Sequence, residues 1–150
     1  MEYASDLTFL VHDVARLMRT LADRRARCHD MTRAQWAILL WLEREPGLSQ
    51  RELAELLEVE PITVARLVDR LETARMVQRR PDPADRRIWR LHLSEAAAPV
   101  LDEIHSWRLA MHERLTEGLP EQTVQAMVSG LSHLKEILVT ERSNRTKDAA

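Results

Sequence analysis

A mainly α-helical fold carrying one short β-hairpin is what this sequence predicts, on three observations. Apolar residues recur at three- and four-residue spacing over most of the chain, the pattern that lines one face of a helix. Three glycines and six aromatic residues among 150 are too few for a sheet-rich fold, whose tight turns need glycine and whose strands favour aromatics. Only the stretch around residues 77–93 alternates with the period of two expected of strands.

Taken in order, Leu7, Leu10, Val11, Val14, Leu17, Met18 and Leu21 share one face over about four turns, predicting a long amphipathic first helix. Thr32-Arg33-Ala34-Gln35 has the form of a capping box, in which the first side chain caps the N3 amide and the fourth reaches back. The helix it opens is apolar all round (Trp36, Ile38, Leu39, Leu40, Trp41, Leu42) and is therefore expected to be central and buried, ending before Pro46-Gly47. Ser49-Gln50-Arg51-Glu52 is a second capping box, starting a short helix with Leu53, Leu56 and Leu57 inward. Pro61 suits the first position of a fourth helix, where its missing N–H is no loss, with Val64, Leu67, Val68 and Leu71 as buried stripe. Pro81-Asp82-Pro83-Ala84-Asp85 is turn chemistry between Val77–Arg80 and Trp89–Leu93, hence a hairpin. Ser94 is placed to cap a fifth helix bearing Val100, Leu101, Ile104, Trp107, Met111 and Leu115, and Pro120 opens a sixth. Polar residues from 143 to 150 read as a frayed tail.

The length fits one domain, or two small lobes sharing a core. One cysteine, Cys28, excludes an internal disulfide, and no Cys/His spacing resembles a zinc site. The longest apolar run, Trp36–Leu42, is too short to span a bilayer, and no basic-then-apolar signal opens the chain, so a cytoplasmic protein with no membrane partner is expected. The net charge of −2 hides an asymmetry. From Arg66 to Arg90 eight arginines face four acids, a local +4 against −6 for the remainder. One segment is basic in an otherwise acidic chain.

That segment carries the functional signal. Thr63, Arg66, Arg70 and Thr73 lie opposite the buried stripe of the fourth helix. Arginine can pair with both major-groove acceptors of guanine, and threonine can serve a phosphate or a thymine methyl. Ser49 and Gln50, at the start of the preceding helix, can hold a backbone phosphate. Arg86 and Arg87 at the hairpin tip suit a narrow, electronegative minor groove.

Residues 49–94 thus resemble the winged helix-turn-helix of the MarR family, nearest to its SlyA-like branch. The resemblance is carried by Gln50-Arg51-Glu52-Leu53-Ala54-Glu55-Leu56-Leu57, by Thr63-Val64-Ala65-Arg66-Leu67-Val68-Asp69-Arg70-Leu71-Glu72, and by Asp85-Arg86-Arg87 followed by Leu91-His92-Leu93-Ser94. It implies a DNA-binding transcriptional regulator, a repressor, that grips a pseudo-palindromic operator as a homodimer. Residues 1–30 and 95–142 would form the helical dimerisation region and 31–94 the DNA-binding lobe. Its implied DNA contacts are Ser49, Gln50, Pro61, Thr63, Arg66, Arg70, Thr73, Arg86 and Arg87, with Asp85 bracing the wing. One departure stands out: the family usually has glycine after the recognition helix, and this chain has Arg75. A left-handed Arg75 would cost about 1 kcal/mol, so either that cost is met or the helix ends differently.

The resemblance also implies an effector cleft lined by Arg16, Thr32, Trp36 and Arg66, suited to a small aromatic or carboxylate ligand through indole stacking and guanidinium–carboxylate pairing. Trp36 in its apolar run, and Trp107 by its spacing, also read as core or packing residues. Cys28 beside Arg25 and Arg27 would favour a thiolate, a redox alternative weakened by the presence of one tyrosine only, Tyr3. His105 and His112 share a face and, with Cys28 or His29, outline a metal alternative that lacks a convincing i,i+4 histidine pair. A winged helix used for protein docking would show an apolar outer face, which Thr63, Arg66 and Arg70 do not provide. No glycine-rich phosphate loop, nucleophile elbow or matched carboxylate pair points to an enzyme, and no cofactor is implied.

Overall fold

The computed structural model describes the backbone of residues 6–148 and side chains through residue 141. Six helices and one hairpin follow in the order α1 (Leu7–Arg27), α2 (Arg33–Arg44), α3 (Gln50–Leu57), α4 (Pro61–Thr73), β1 (Val77–Pro81), β2 (Trp89–Leu93), α5 (Ala98–Thr116) and α6 (Glu121–Asp148). Among the described residues no helix is long and apolar enough to cross a membrane. The chain divides into two compact units between His105 and Ser106, within α5.

Local chemistry explains most boundaries of the first unit. Asp6 caps α1, its carboxylate accepting from the amides of Thr8 and Phe9. Both predicted capping boxes form, Thr32 with Gln35 and Ser49 with Glu52, each meeting amides that a helix start leaves without partners. Pro61 occupies the first position of α4. Helix α4 ends with Arg75 in the left-handed region at φ 58°, while the Met76 amide reaches the Leu71 carbonyl at 2.9 Å and that of Arg75 reaches Glu72 at 2.9 Å. The helix therefore takes the usual left-handed ending without its usual glycine.

The core of this unit is built where α2, α3, α4, the hairpin and the start of α5 meet. Ile38, Leu39, Leu42, Leu53, Val64, Val68, Leu71, Val77, Leu91 and Ile104 are its largest fully buried side chains. Helix α2 is central as expected, though Leu40 and Trp41 are only half-buried, with the Arg44 guanidinium 5.5 Å from the Trp41 ring centre. Leu56 and Leu57 likewise are half-buried rather than fully inward. The hairpin is antiparallel, pairing Val77 with Leu93 and Pro81 with Trp89, one residue longer on β1 than expected. Its other edge receives the α2–α3 connection: the Gly47 amide donates to Leu91 O and the Leu91 amide to Leu48 O, both at 2.9 Å. Gly47 is at φ +88°, and a Cβ there would meet the His92 ring at 3.5 Å.

Ser94 precedes a single 3₁₀ turn, Glu95–Ala97, and its side chain makes no cap. The predicted serine cap on α5 is therefore corrected: the tight turn meets the Ala97 amide with the Ser94 carbonyl at 2.9 Å instead of the hydroxyl. The apolar stripe of α1 is amphipathic as predicted, but Leu7, Leu10, Val11, Val14, Leu17 and Met18 are all exposed.

In the second unit, α6 runs to Asp148, so the backbone from Ser143 to Asp148 is helical where the polar composition reads as a tail. No glycine or proline interrupts that segment, leaving nothing in the backbone to stop the helix. Residues 149 and 150 lie outside the described residues, as does Tyr3. Leu109, Leu115, Leu119, Met127, Val128, Leu131, Ile137, Leu138 and Val139 of this unit are exposed.

Candidate nucleic-acid interface

Two helices and a hairpin present the basic segment. On α4, Val64, Val68 and Leu71 are buried, and Thr63, Arg66, Arg70 and Thr73 are exposed on the remaining face, as the helical spacing requires. Arg66 and Arg70 form no ion pair among the described residues. Thr73 differs in that its hydroxyl donates to the Asp69 carbonyl at 2.9 Å, which leaves its oxygen lone pairs for an outside donor. Pro61 holds the start of α4, and Glu60 before it provides no side-chain cap.

Ser49 and Gln50 sit where α3 begins, and part of their polar atoms is already engaged. The Ser49 hydroxyl accepts from the Glu52 amide at 3.2 Å, and its amide donates to Glu52 Oε2 at 2.7 Å. The Gln50 carbonyl oxygen accepts from Arg79 at 3.3 and 3.4 Å, leaving its NH₂ as the free donor.

At the hairpin tip Arg87 is 94% exposed. Asp85 accepts from the Arg87 amide at 3.0 Å and lies 3.7 Å from its guanidinium. Arg86 is exposed with no ion pair among the described residues. The turn itself is organised by Asp82, buried at 9% exposure, whose Oδ1 accepts from the amides of Ala84 (2.7 Å) and Asp85 (3.0 Å). Its other oxygen receives Arg90 Nε at 2.6 Å. That charged hydrogen bond, with the two amides, holds the Asp82 carboxyl down at about 2, because each donor favours the ionised form.

Arg90 then bridges further, to Glu52 at 3.0 Å and to the Gly47 carbonyl at 3.3 Å. Glu52 thereby caps α3 and ties it to the hairpin, and its carboxyl is lowered first by the Ser49 amide and, to a smaller extent, by Arg90. Arg79 performs the matching task for α4, pairing with Glu72 and with Asp69 at 2.6 Å while holding Gln50. Sequence reading missed Asp82, Arg79 and Arg90 as a bracing set. The available signal was their charge, and it reads equally well as surface.

The eight arginines from Arg66 to Arg90 thus sort into two classes. Arg79 and Arg90, 19% and 29% exposed, are inward-facing braces; Arg66, Arg70, Arg75, Arg80, Arg86 and Arg87 are exposed.

The four residues expected to line an effector cleft are engaged separately. Arg16 is paired with Asp13 at 2.6 Å. Thr32 is tied to Gln35 through the capping box. Trp36 is 3% exposed within the core, its ring tilted against His29 at 6.0 Å. Arg66 stands on the outer face of α4. Of the remaining candidates, the Cys28 thiol donates to the Arg24 carbonyl at 3.4 Å, and its neighbour Arg25 pairs with Glu103, which also has His29 at 3.4 Å. His105 pairs with Glu43 at 2.9 Å, and His112 is exposed. Among the described residues no group of three or more metal-ligating side chains assembles.

Comparison with known proteins agrees with this arrangement. Residues 29–88 match the model of the MarR family. A crystal structure of MarR is similar over 96% of this chain and 98% of its own, with TM-score 0.84 and 28% identity. Apo wild-type MarR from E. coli is similar at TM-score 0.76 and 25% identity, covering 86% of this chain and 96% of its own. The transcriptional regulator SlyA shares the fold at TM-score 0.76 and 23% identity, over 89% and 94%. With its capped helix pair, arginine-faced α4 and braced hairpin, the chain has the winged-helix fold of the MarR crystal structure, and its residues 29–88 match the MarR family model.

Proposed function

We propose that this protein is a repressor that binds a pseudo-palindromic DNA operator as a homodimer, α4 entering the major groove and the hairpin tip the minor groove of each half-site. The observation that carries the reading is the sorting of arginines. Arg79 and Arg90 brace the helix pair against the hairpin, while Arg66, Arg70, Arg86 and Arg87 stand outward, where among the described residues they brace no other element and match phosphates and base edges. The DNA contacts we assign are Ser49, Gln50, Pro61, Thr63, Arg66, Arg70, Thr73, Arg86 and Arg87, with Asp85 holding Arg87. A second copy of the chain covers the exposed apolar faces of α1 and of the 106–141 segment, because each presents a run of exposed large apolar side chains of the kind that marks an interface. The protein acts in the cytoplasm.

Release by a small aromatic or carboxylate effector completes the proposal. We assign its binding to Arg16, Thr32, Trp36 and Arg66, a reading supported by the resemblance to the MarR family and by the fit of indole and guanidinium groups to such a ligand.

The test is fluorescence anisotropy of the purified protein on duplexes from upstream of its own coding sequence. Affinity is expected to fall about 10³-fold or more between about 50 and about 200 mM salt, and Arg87→Ala is expected to weaken binding with an unchanged melting temperature. Absence of binding at low salt, or salt-independent binding, removes the proposal.

A further inference from the structure

Ile62 is the most exposed large apolar residue of the helix-turn-helix and hairpin, at 62%, above Val59, Ile88 and Trp89 at 36%, 37% and 49%. It is the second residue of α4. The buried direction of α4 is defined by Val64, Val68 and Leu71. At 100° per residue, Ile62 and Arg66 fall on the opposite side, with Asp69 and Thr73 continuing the same line at four-, seven- and eleven-residue offsets. Ile62 is therefore nearer the middle of the outer face than Thr63 or Arg70. Asp69, further along, is engaged by Arg79 at 2.6 Å, so the first two turns offer one branched apolar side chain followed by one arginine without an ion pair among the described residues.

Packing does not account for an isoleucine there. β-branched residues are mediocre helix formers, and this one is mostly in water rather than in the core. Its surroundings select the occupant: an apolar group set among outward arginines is a poor seat for another apolar protein surface and a good one for the single apolar group on the major-groove edge, the thymine 5-methyl. The N-terminal residues of a recognition helix are also those that reach base edges.

We infer that Ile62 is a specificity-determining residue, packing against a thymine methyl in each half-site beside the base pair that Arg66 reads. The inference rests on the DNA-binding reading above and adds to it the base that this position selects.

The experiment uses the full chain and duplexes selected by it from a random-sequence library. Each thymine of the selected half-site is then replaced by deoxyuridine, which removes only the 5-methyl. At one position per half-site the exchange is expected to weaken wild-type binding about fourfold, the worth of one buried methyl. Ile62→Ala should bind the thymine duplex about as weakly as wild type binds the deoxyuridine duplex, and should no longer distinguish the two. Ile62→Val should retain part of the discrimination. The inference is overturned if no thymine-to-deoxyuridine exchange alters wild-type affinity, or if Ile62→Ala discriminates as wild type does. Failure to select any duplex is a separate outcome, one that removes the DNA-binding reading and this inference with it. Because the deoxyuridine scan on wild type needs no variant, poor folding of Ile62→Ala leaves the inference open to refutation.

Discussion

Residues 33–93 and residues 106–141 solve the same problem in opposite ways. The first stretch buries Ile38, Leu39, Leu42, Leu53, Val64, Val68 and Leu71 almost completely and adds a polar lattice through Arg79 and Arg90. In the second, no described side chain is buried, although it carries Leu109, Met127, Val128, Leu131, Ile137 and Leu138. The difference teaches where each stretch finds its stability. The lobe closes on itself, whereas the helical segment leaves its apolar side chains exposed, a surface that on the proposed reading a second copy of the chain covers.

The sharpest way to break this comparison is to charge the open segment. Leu131→Asp is expected to give a monomer by light scattering and to reduce DNA affinity about 10²-fold or more, the loss that follows when two linked half-site contacts become one. The near-ultraviolet dichroism of Trp36 and Trp41 in the lobe should persist. A variant that stays dimeric would contradict the assignment of that surface.

A smaller effect tests whether the lobe is held by its polar lattice as well as its core. Asp82 titrates at about 2 when folded, below its ordinary 3.8. A depressed carboxyl stabilises the fold above its unfolded pKa and loses that contribution as pH falls through the folded value. Asp82→Asn should therefore melt a few degrees below wild type near neutrality, with the gap closing between about pH 4 and about pH 2. A gap that does not change with pH would assign the aspartate's effect to shape alone.

The smallest effect concerns strain. Arg75→Gly should raise stability by about 0.5 to 1 kcal/mol in denaturant unfolding by relieving the left-handed backbone. An unchanged or lowered midpoint would mean that the Arg75 side chain compensates for its conformation.

What could be read from the chain divides along the same line of near and far. Capping boxes at Thr32 and Ser49, the proline start of α4 and the hairpin alternation are written within a few neighbouring residues, so they were legible. The outward placement of Thr63, Arg66 and Arg70 followed from helical geometry once the buried stripe was known. The braces were not legible: Arg90 finds Glu52 and Gly47 at separations of 38 and 43 residues, and Arg79 finds Gln50 at 29. Nothing local distinguishes these two arginines from Arg86 or Arg87. The same limit applies to Ser94, whose position reads as a cap until the tight turn after it takes over the bonding. Ile62 was not legible as a contact because an apolar residue on a helix reads as core, and the outer face was assigned to polar side chains, Thr63, Arg66, Arg70 and Thr73.

The connection through Gly47 and Leu48 has one more consequence. It is laid along β2, with hydrogen bonds on either side of Leu91, and Arg90 pins the same strand to the start of α3. The helix pair and the hairpin are thus joined like teeth on one comb, with a set pitch between them. On the proposed reading, the step from the base pairs met by α4 to those met by the hairpin is then of constant length. Inserting a base pair within a half-site should abolish the fit, and any latitude in operator spacing belongs at the operator's centre, between the two combs.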